Sequence, residues 1–407
     1  MLVWNPIDSF SGNFTDPALT ARRSCPVCGG DNPVSVVEMR DFQFFTDSAV
    51  SPKRVELCDV RCDDCAALYL NPAYTPCGFQ TLFAEAGCSY GATAGRPREQ
   101  LDWLSERGLL HPGKCLLDVG CYDGRFLSLL PATVRKVGVD IDKPAIERGR
   151  LHYGAQGIEL IHGDFDSFKL DKQVDAITMF HVLEHLPDPL ATLRNLRKLA
   201  TSMTALVVEV PILENGFTND INGFFSVQHM THFSRRSLAN VLARAGWSIE
   251  ERLEQPDYNG CRVLCRPAPE TDSVTGATED RATLAAYLRH HRDVVADVQR
   301  QLTSLAGAER ILLWGGGLHT ELLYQLTDLF RVPGRRFLIV DSDPLKQGKS
   351  WRGIAIYAPE ILRAEEWGET PLVISSYGGQ NAIHDAAVQA GFKPESMVRL
   401  YRKFRVY

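Results

Sequence analysis

The sequence has no run near the roughly 18 to 20 consecutive apolar residues that a helix needs to cross a bilayer, so no membrane partner is expected. It has no excess of basic charge either. Its 44 Lys and Arg face 50 Asp and Glu, a net charge of −6, which argues against nucleic acid as a partner. The opening stretch, MLVWNPIDSFSGNF, lacks the basic start and apolar core of a secretory signal, and this predicts a cytoplasmic protein. Low-complexity segments and short-period repeats are missing too, which sets repeat architectures aside.

What is present suits an ordinary globular chain. With 44% hydrophobic and 23% charged residues over 407 positions, two or three domains are expected. Eleven cysteines make an odd count for a disulfide framework. Four of them form two C-x2-C pairs, Cys25 with Cys28 and Cys62 with Cys65. In a reducing compartment such pairs read as ligands of one tetrahedral, structural zinc. Cys58, separated from Cys62 by three residues, is a poorer substitute ligand, and Cys77 and Cys88 stay unassigned.

Composition divides the chain into three units. Residues 1–95 hold the paired cysteines, residues 96–268 alternate apolar strands with amphipathic helices, and residues 269–407 repeat that alternation after a leading helix. Residues 266–280, RPAPETDSVTGATED, read as the linker before that helix. The expected fold class is α/β: a Rossmann-like central domain, an amino-terminal zinc-binding domain and a carboxy-terminal Rossmann-like domain.

The central unit carries the chemistry. KCLLDVG leads into CYDGRFLSLL, a strand, a glycine turn and a helix start. Asp140 ends the next strand, where a carboxylate can accept hydrogen bonds from ribose hydroxyls. Only two glycines, Gly120 and Gly124, are present, and Tyr122 and Asp123 fill the space a pyrophosphate would need. Asp118 would repel a diphosphate but suits the ammonium of a methionine moiety. Asp164 follows a third strand, within reach of an adenine amine. This pattern favours S-adenosylmethionine over a dinucleotide.

In order, LLDVGCYDG, GVDID, IHGDFD and DAITMFHVLEHLPDPLATLRNLRKL resemble the class I S-adenosylmethionine-dependent methyltransferases. That resemblance implies a cofactor set of Asp118, Gly120, Tyr122, Gly124, Asp140, Ile141, Asp164, Phe165 and Phe180. With the cysteine pairs, RCDDCAALYLNPAYTP, EVPILENGF and HMTHFSRRSLANVLARAGW, the whole chain is similar to the three-domain sugar C-methyltransferases of antibiotic and polysaccharide pathways. The resemblance implies a nucleotide-linked keto-sugar as the small-molecule acceptor. A monomer or homodimer is expected.

Carbon methylation needs a base next to a carbonyl, and oxygen methylation needs one for a hydroxyl. His181 and His185 end the fourth strand, His229 and His232 follow the fifth, and Tyr90 lies at the seam ahead of the central unit. These are the candidate catalytic residues. The sugar C-methyltransferases carry Tyr-x-Glu-His where this sequence has Ser226, Val227, Gln228 and His229. Gln228 cannot take a proton, so O-methylation stands as the alternative. Phe217, Phe224 and Phe225 lie in a turn-rich loop and read either as a stack over an acceptor ring or as ordinary packing. A second glycine turn at Gly315 and Gly317, with Asp341 ending the next strand, is a weaker nucleotide signal, with His319, Ser376 and Tyr377 as contact candidates. A cofactor-binding sensor and an oxidoreductase using that second turn are the rival readings.

Overall fold

The computed structural model describes residues 3–7, 18–44, 53–79, 95–163, 170, 173–255, 258–272, 278–364, 367 and 369–402. The amino-terminal part holds β1 (Thr20–Ala21), β2 (Pro33–Phe44), β3 (Lys53–Cys62), β4 (Leu68–Leu70) and β5 (Ala73–Tyr74). The central part begins with α1 (Arg96–Glu106), β6 (Cys115–Val119), α2 (Arg125–Ser128), β7 (Arg135–Asp140), α3 (Lys143–Tyr153), β8 (Ile158–His162) and β9 (Val174–Phe180). It continues through α4 (Pro189–Lys198), β10 (Ala200–Pro211), β11 (Thr231–His232), α5 (Arg235–Arg244), β12 (Trp247–Glu254) and β13 (Gly260–Pro267). The rest comprises α6 (Thr278–Leu302), β14 (Arg310–Trp314), α7 (Leu318–Leu326), β15 (Arg336–Val340), β16 (Ser350–Trp351), β17 (Ile354–Tyr357), β18 (Leu372–Ile374), α8 (Gln380–Gln389) and β19 (Met397–Arg399).

The central sheet has seven strands in the order β12-β13-β10-β9-β6-β7-β8. Strands β6 to β10 run parallel, and β13 returns antiparallel beside β10. Every residue of CLLDV in β6 is buried, as a strand covered on both faces requires. The chain runs outward from β6 to β8, then crosses back to β9. That reversal opens a crevice at the carboxyl ends of β6 and β9, where ligands bind in such sheets. Capping residues set the helices behind it. Asp142 accepts from the Ala145 amide at the start of α3, and Asp188 does the same for Ala191 ahead of Pro189 in α4. The LPDP turn is therefore a helix start. Ser234 and Ser237 form a reciprocal capping box at α5.

The amino-terminal sheet has the order β11-β4-β3-β2, and its edge strand comes from the central part of the chain. Thr231 pairs with Tyr69 and His232 with Leu68. Its other face shares a core with the carboxy-terminal part: Phe42 and Leu57 pack in one cluster with Leu322, Phe337 and Trp351. Buried Arg352 bridges the two, pairing with Asp41 and Glu321. The carboxy-terminal sheet, β16-β17-β15-β14-β18-β19, is parallel except for β16.

The linker expected over residues 266–280 is shorter at both ends. Arg266 and Pro267 belong to β13, and α6 begins at Thr278 with Asp280 already buried. Leu284, Val298 and Leu302 are buried on α6 as their helical spacing predicts. Among the described residues no helix is long and apolar enough to cross a membrane.

Candidate functional site

The glycine turn after β6 is held by backbone geometry and by one carboxylate. Gly120 and Gly124 have φ of 76° and 81°, the left-handed region that favours glycine. A Cβ on Gly120 would stand 2.3 Å from Val182, because the turn after β9 packs directly over it. Tyr122, at φ 52°, is strained in the same turn. Asp140 accepts from the Tyr122 amide at 2.7 Å and from the Asp142 amide at 2.8 Å, one bond on each oxygen. It therefore clamps the turn while keeping a second lone pair on each oxygen. The carboxy-terminal turn repeats the device: Asp341 accepts from Gly316 at 2.7 Å and Asp343 at 2.9 Å.

Asp118 is buried and accepts from the Thr178 hydroxyl at 2.7 Å. Burial pushes its carboxyl up to about 7, against the pull of that hydrogen bond, and burial also pushes Asp140 up to about 6. Tyr122 accepts from Arg148 through its hydroxyl, Ile141 is half-buried, and Phe180 packs edge-on against Phe126 at 5.3 Å. Asp164, Phe165 and Tyr90 lie outside the described residues.

Three of the four histidines gather at the crevice. His181, at φ 56°, directs Nδ1 toward Glu184 (3.2 Å) and Nε2 toward the Tyr258 hydroxyl (2.6 Å) and Glu209 (3.2 Å). Burial opposes its charge, but Glu184 and Glu209 outweigh burial and raise its pKa. His185 donates Nδ1–H to the Gln228 carbonyl at 2.9 Å, and its ring lies edge-on to His229 with centroids 4.8 Å apart. Burial lowers the pKa of both, and neighbouring imidazoles depress His229 further, so both rings are neutral near pH 7.

His232 lies beside the other three, its ring 5.9 Å from that of His229, but it is engaged elsewhere. Its side chain has no exposed surface, it is paired into β11, and its Nε2 meets Asp59 of β3 at 2.7 Å. That is a buried position engaged with the amino-terminal sheet. Phe224 and Phe225 pack on Tyr287 of α6 and on His232 rather than standing open over a ring.

An ionic network behind His181 carried no recognised motif. Glu209, fully buried, meets Arg96, Arg262 and the Tyr258 hydroxyl, while Arg262 grips Glu99 at 2.9 and 2.6 Å. A charged residue inside each of two apolar strands, ALVVEVP and GCRVLCRP, was the available signal. The register places Glu209 directly opposite Arg262.

The four paired cysteines converge. Their sulfurs all lie within 4.8 Å of one another, with Cys25–Cys65 at 3.7 Å and Cys28–Cys62 at 3.6 Å. Bonds of ~2.3 Å to one tetrahedral ion require sulfurs about 3.8 Å apart, so the set fits zinc. The two knuckles share one hydrogen-bond pattern. Cys25 donates to Gly30 and Gly29 to Cys25, while Cys62 donates to Ala67 and Ala66 to Cys62. Gly29 and Ala66 both take positive φ to close these turns. Cys58 contacts Ser35 instead, and Cys77 is exposed.

A second cleft of about 530 Å³ lies at the carboxy-terminal switch point, lined by Gly315, Gly317, Asp341, Ser376 and Tyr377 and by Asp220 of the central loop. His319 borders it but bonds Ser375 and the Tyr401 hydroxyl, and burial pushes it down to about 3. Tyr377 reaches Asn219 of that loop at 2.5 Å.

Comparison with known proteins agrees with the central geometry. A family described as "Methyltransferase domain" matches residues 93–252. The chain is similar to the ubiquinone biosynthesis O-methyltransferase of Aeromonas salmonicida, 32% identical over 100 residues, covering 23% of this chain and 42% of that protein. The corresponding protein of Pseudomonas putida strain W619 is 33% identical over 102 residues, covering 23% and 43%. The chain thus spans less than half the length of these curated relatives. Among solved structures, the CcbJ methyltransferase from Streptomyces caelestis aligns with TM-score 0.37 and 15% identity, over 44% of this chain and 97% of that one. Residues 93–252 are a class I S-adenosylmethionine-dependent methyltransferase domain.

Proposed function

We propose that this protein transfers a methyl group from S-adenosylmethionine to a sugar or sugar-like biosynthetic intermediate. The observation that carries the reading is the packing of the segment after β9, which bears His181 and His185, onto the glycine turn: a Cβ on Gly120 would stand 2.3 Å from Val182. The cofactor supplies a methyl on a sulfonium for in-line displacement. Asp118 holds the methionine ammonium and Asp140 the ribose. His229, neutral and beside His185, accepts the acceptor's proton. Zinc in the four-cysteine set is structural. The three-part layout favours a ring carbon of a nucleotide-linked keto-sugar as the methylated atom. Gln228, which cannot act as a base, and the O-methyltransferase relatives favour oxygen as the second reading. The cleft at Gly315 faces the central loop and suits enclosure of the acceptor.

Labelled cofactor offered with keto- and hydroxyl-bearing nucleotide sugars tests this, with products read by fragmentation. Methyl on carbon or on oxygen decides between the readings, and no methyl on any of them overturns the sugar acceptor. His229→Asn is expected to lose turnover by about 100-fold or more while keeping its affinity for S-adenosylhomocysteine. Retained turnover would remove His229 from proton transfer.

The buried carboxyl of Asp118 adds a pH dependence. Near pH 6 the free protein holds it protonated, and a cationic ammonium beside it favours the charged form, so binding releases a proton. Affinity for S-adenosylhomocysteine is expected to rise between about pH 6 and about pH 8, and to lose most of that rise in Asp118→Asn. A flat wild-type profile by calorimetry would take Asp118 out of contact with the ammonium.

A further inference from the structure

We propose that Glu184, His185 and His229 bind one divalent cation of the zinc type, leaving a coordination position for an oxygen of the acceptor. The role given to that open position rests on the methyl-transfer reading, whereas the metal site itself does not. One ligand atom from each of the three residues lies within 4.8 Å of the other two.

Glu184 is the strongest sign. Its side chain is 1% exposed, and neither carboxylate oxygen has a hydrogen-bond partner among the described residues. Native proteins rarely leave a buried carboxylate in that state. Two imidazoles face Oε1 as its ion-pair partners: His181 Nδ1 at 3.2 Å, whose pKa Glu184 helps to raise, and His185 Nε2 at 3.9 Å; Oε2 has neither. Arg96, whose charge is felt by Glu184, is engaged with Glu209 and His181.

His185 has the arrangement of a metal ligand. A carbonyl only accepts, so the contact with Gln228 places the ring proton on Nδ1 and the lone pair on Nε2, the nitrogen beside Glu184. Metal-bound histidines characteristically donate their other ring nitrogen in this way. A second tie joins the same segments, from the Met230 amide to the Glu184 carbonyl at 2.8 Å. Residues 184–185 and 228–230 are thereby held together before any ion arrives, and His229 lies between the two ties.

Two imidazoles and one carboxylate suit zinc, manganese, iron(II) or cobalt better than calcium or magnesium. Three protein ligands also leave room for a fourth from solvent or substrate. An alkoxide or enolate oxygen is the chemistry that position takes, since a divalent cation lowers the pKa of a hydroxyl bound to it. On this reading His229 holds the ion and not the proton.

The test uses the full chain with its cysteine-bound metal in place, dialysed to equilibrium against micromolar zinc. Glu184→Gln and His229→Asn are each expected to retain about one zinc fewer per chain than the wild type, with unchanged circular dichroism. Equal counts in the three proteins overturn the site. Should a variant misfold, anomalous diffraction at the zinc edge from wild-type crystals decides: a peak bounded by the three residues supports the site, and none there overturns it. S-adenosylhomocysteine titration of the same samples separates the two readings. Metal at the site without cofactor binding sinks the methyltransferase reading alone, and cofactor binding without the metal sinks only the site.

Discussion

Cys62→Ser is expected to lower turnover by about 100-fold or more while shifting S-adenosylhomocysteine affinity by no more than about threefold, although no cysteine of the knuckles touches the crevice. The four thiols cannot all ionise side by side without a cation. Hydrogen bonds from Cys25 and Cys65 draw Cys62 toward the thiolate, and the same contact with Cys62 pushes Cys25 up to about 12. A zinc bound there would relieve that repulsion and lock the turn from Cys62 to Ala67. The turn leads directly into β4, whose partner is β11. Leu70 donates to the Met230 carbonyl, and Arg23 donates to the carbonyls of Leu70, Pro187 and Met230. The segment carrying His229 is therefore stitched to the hairpin that bears Cys62 and Cys65, whereas the glycine turn after β6 is not. Zinc content, turnover and cofactor affinity, measured on one preparation, check the chain of coupling. Exposed Cys77, changed to serine as a control, should leave all three unaltered. Full turnover in zinc-free Cys62→Ser would sever the link.

That coupling shows what the sequence could and could not reveal. Local features were legible: β6 and β7 from their apolar runs, the Gly120 turn, Asp140 at a strand end, and the cysteine pairs from their spacing. Each depends on residues within a few positions of one another, where periodicity and turn chemistry act. The cross-chain features were not. A two-residue strand such as Thr231–His232 has no hydrophobic pattern of its own, so its pairing with β4 is set by the hairpin that receives it. His232 read as a catalytic candidate because it sits beside His229 in sequence; Asp59, 173 residues away, explains it better. The core shared by Phe42 and Leu322 is likewise invisible locally, since either residue would suit a private core. Glu209 was passed over inside an apolar strand because its partner lies on another strand. A charge in such a run signals a buried pair, and the partner could have been sought among equally misplaced arginines.

Glu209→Gln is expected to cost about 3 to 5 kcal/mol of stability and to lower the melting temperature by roughly 6 to 12 °C. Burial raises the carboxyl of Glu209, but its hydrogen bond and charge contact with His181, joined by Arg262 and Arg96, bring it down to about 2. A folded pKa below the unfolded value of about 4.5 means the contribution is complete at neutral pH and is lost as pH falls from about 4.5 toward about 2. A depression of that size corresponds to about 3 kcal/mol. Removing the charge leaves Arg262 buried against Glu99 alone and leaves Arg96 facing His181 without its counter-ion. His181 then loses one of the two carboxylates that raise its pKa, and it should titrate lower. The double variant Glu209→Leu with Arg262→Leu is expected to be less destabilised than Glu209→Gln, because it strands no cation on β13. Urea and thermal unfolding of the wild type and both variants, with the His181 resonance followed against pH, check the two halves together. A melting temperature within about 2 °C of wild type in Glu209→Gln would mean that desolvation cancels the pairing. The network would then matter only for aiming His181 at Glu184, and the lowered His181 pKa should persist alone.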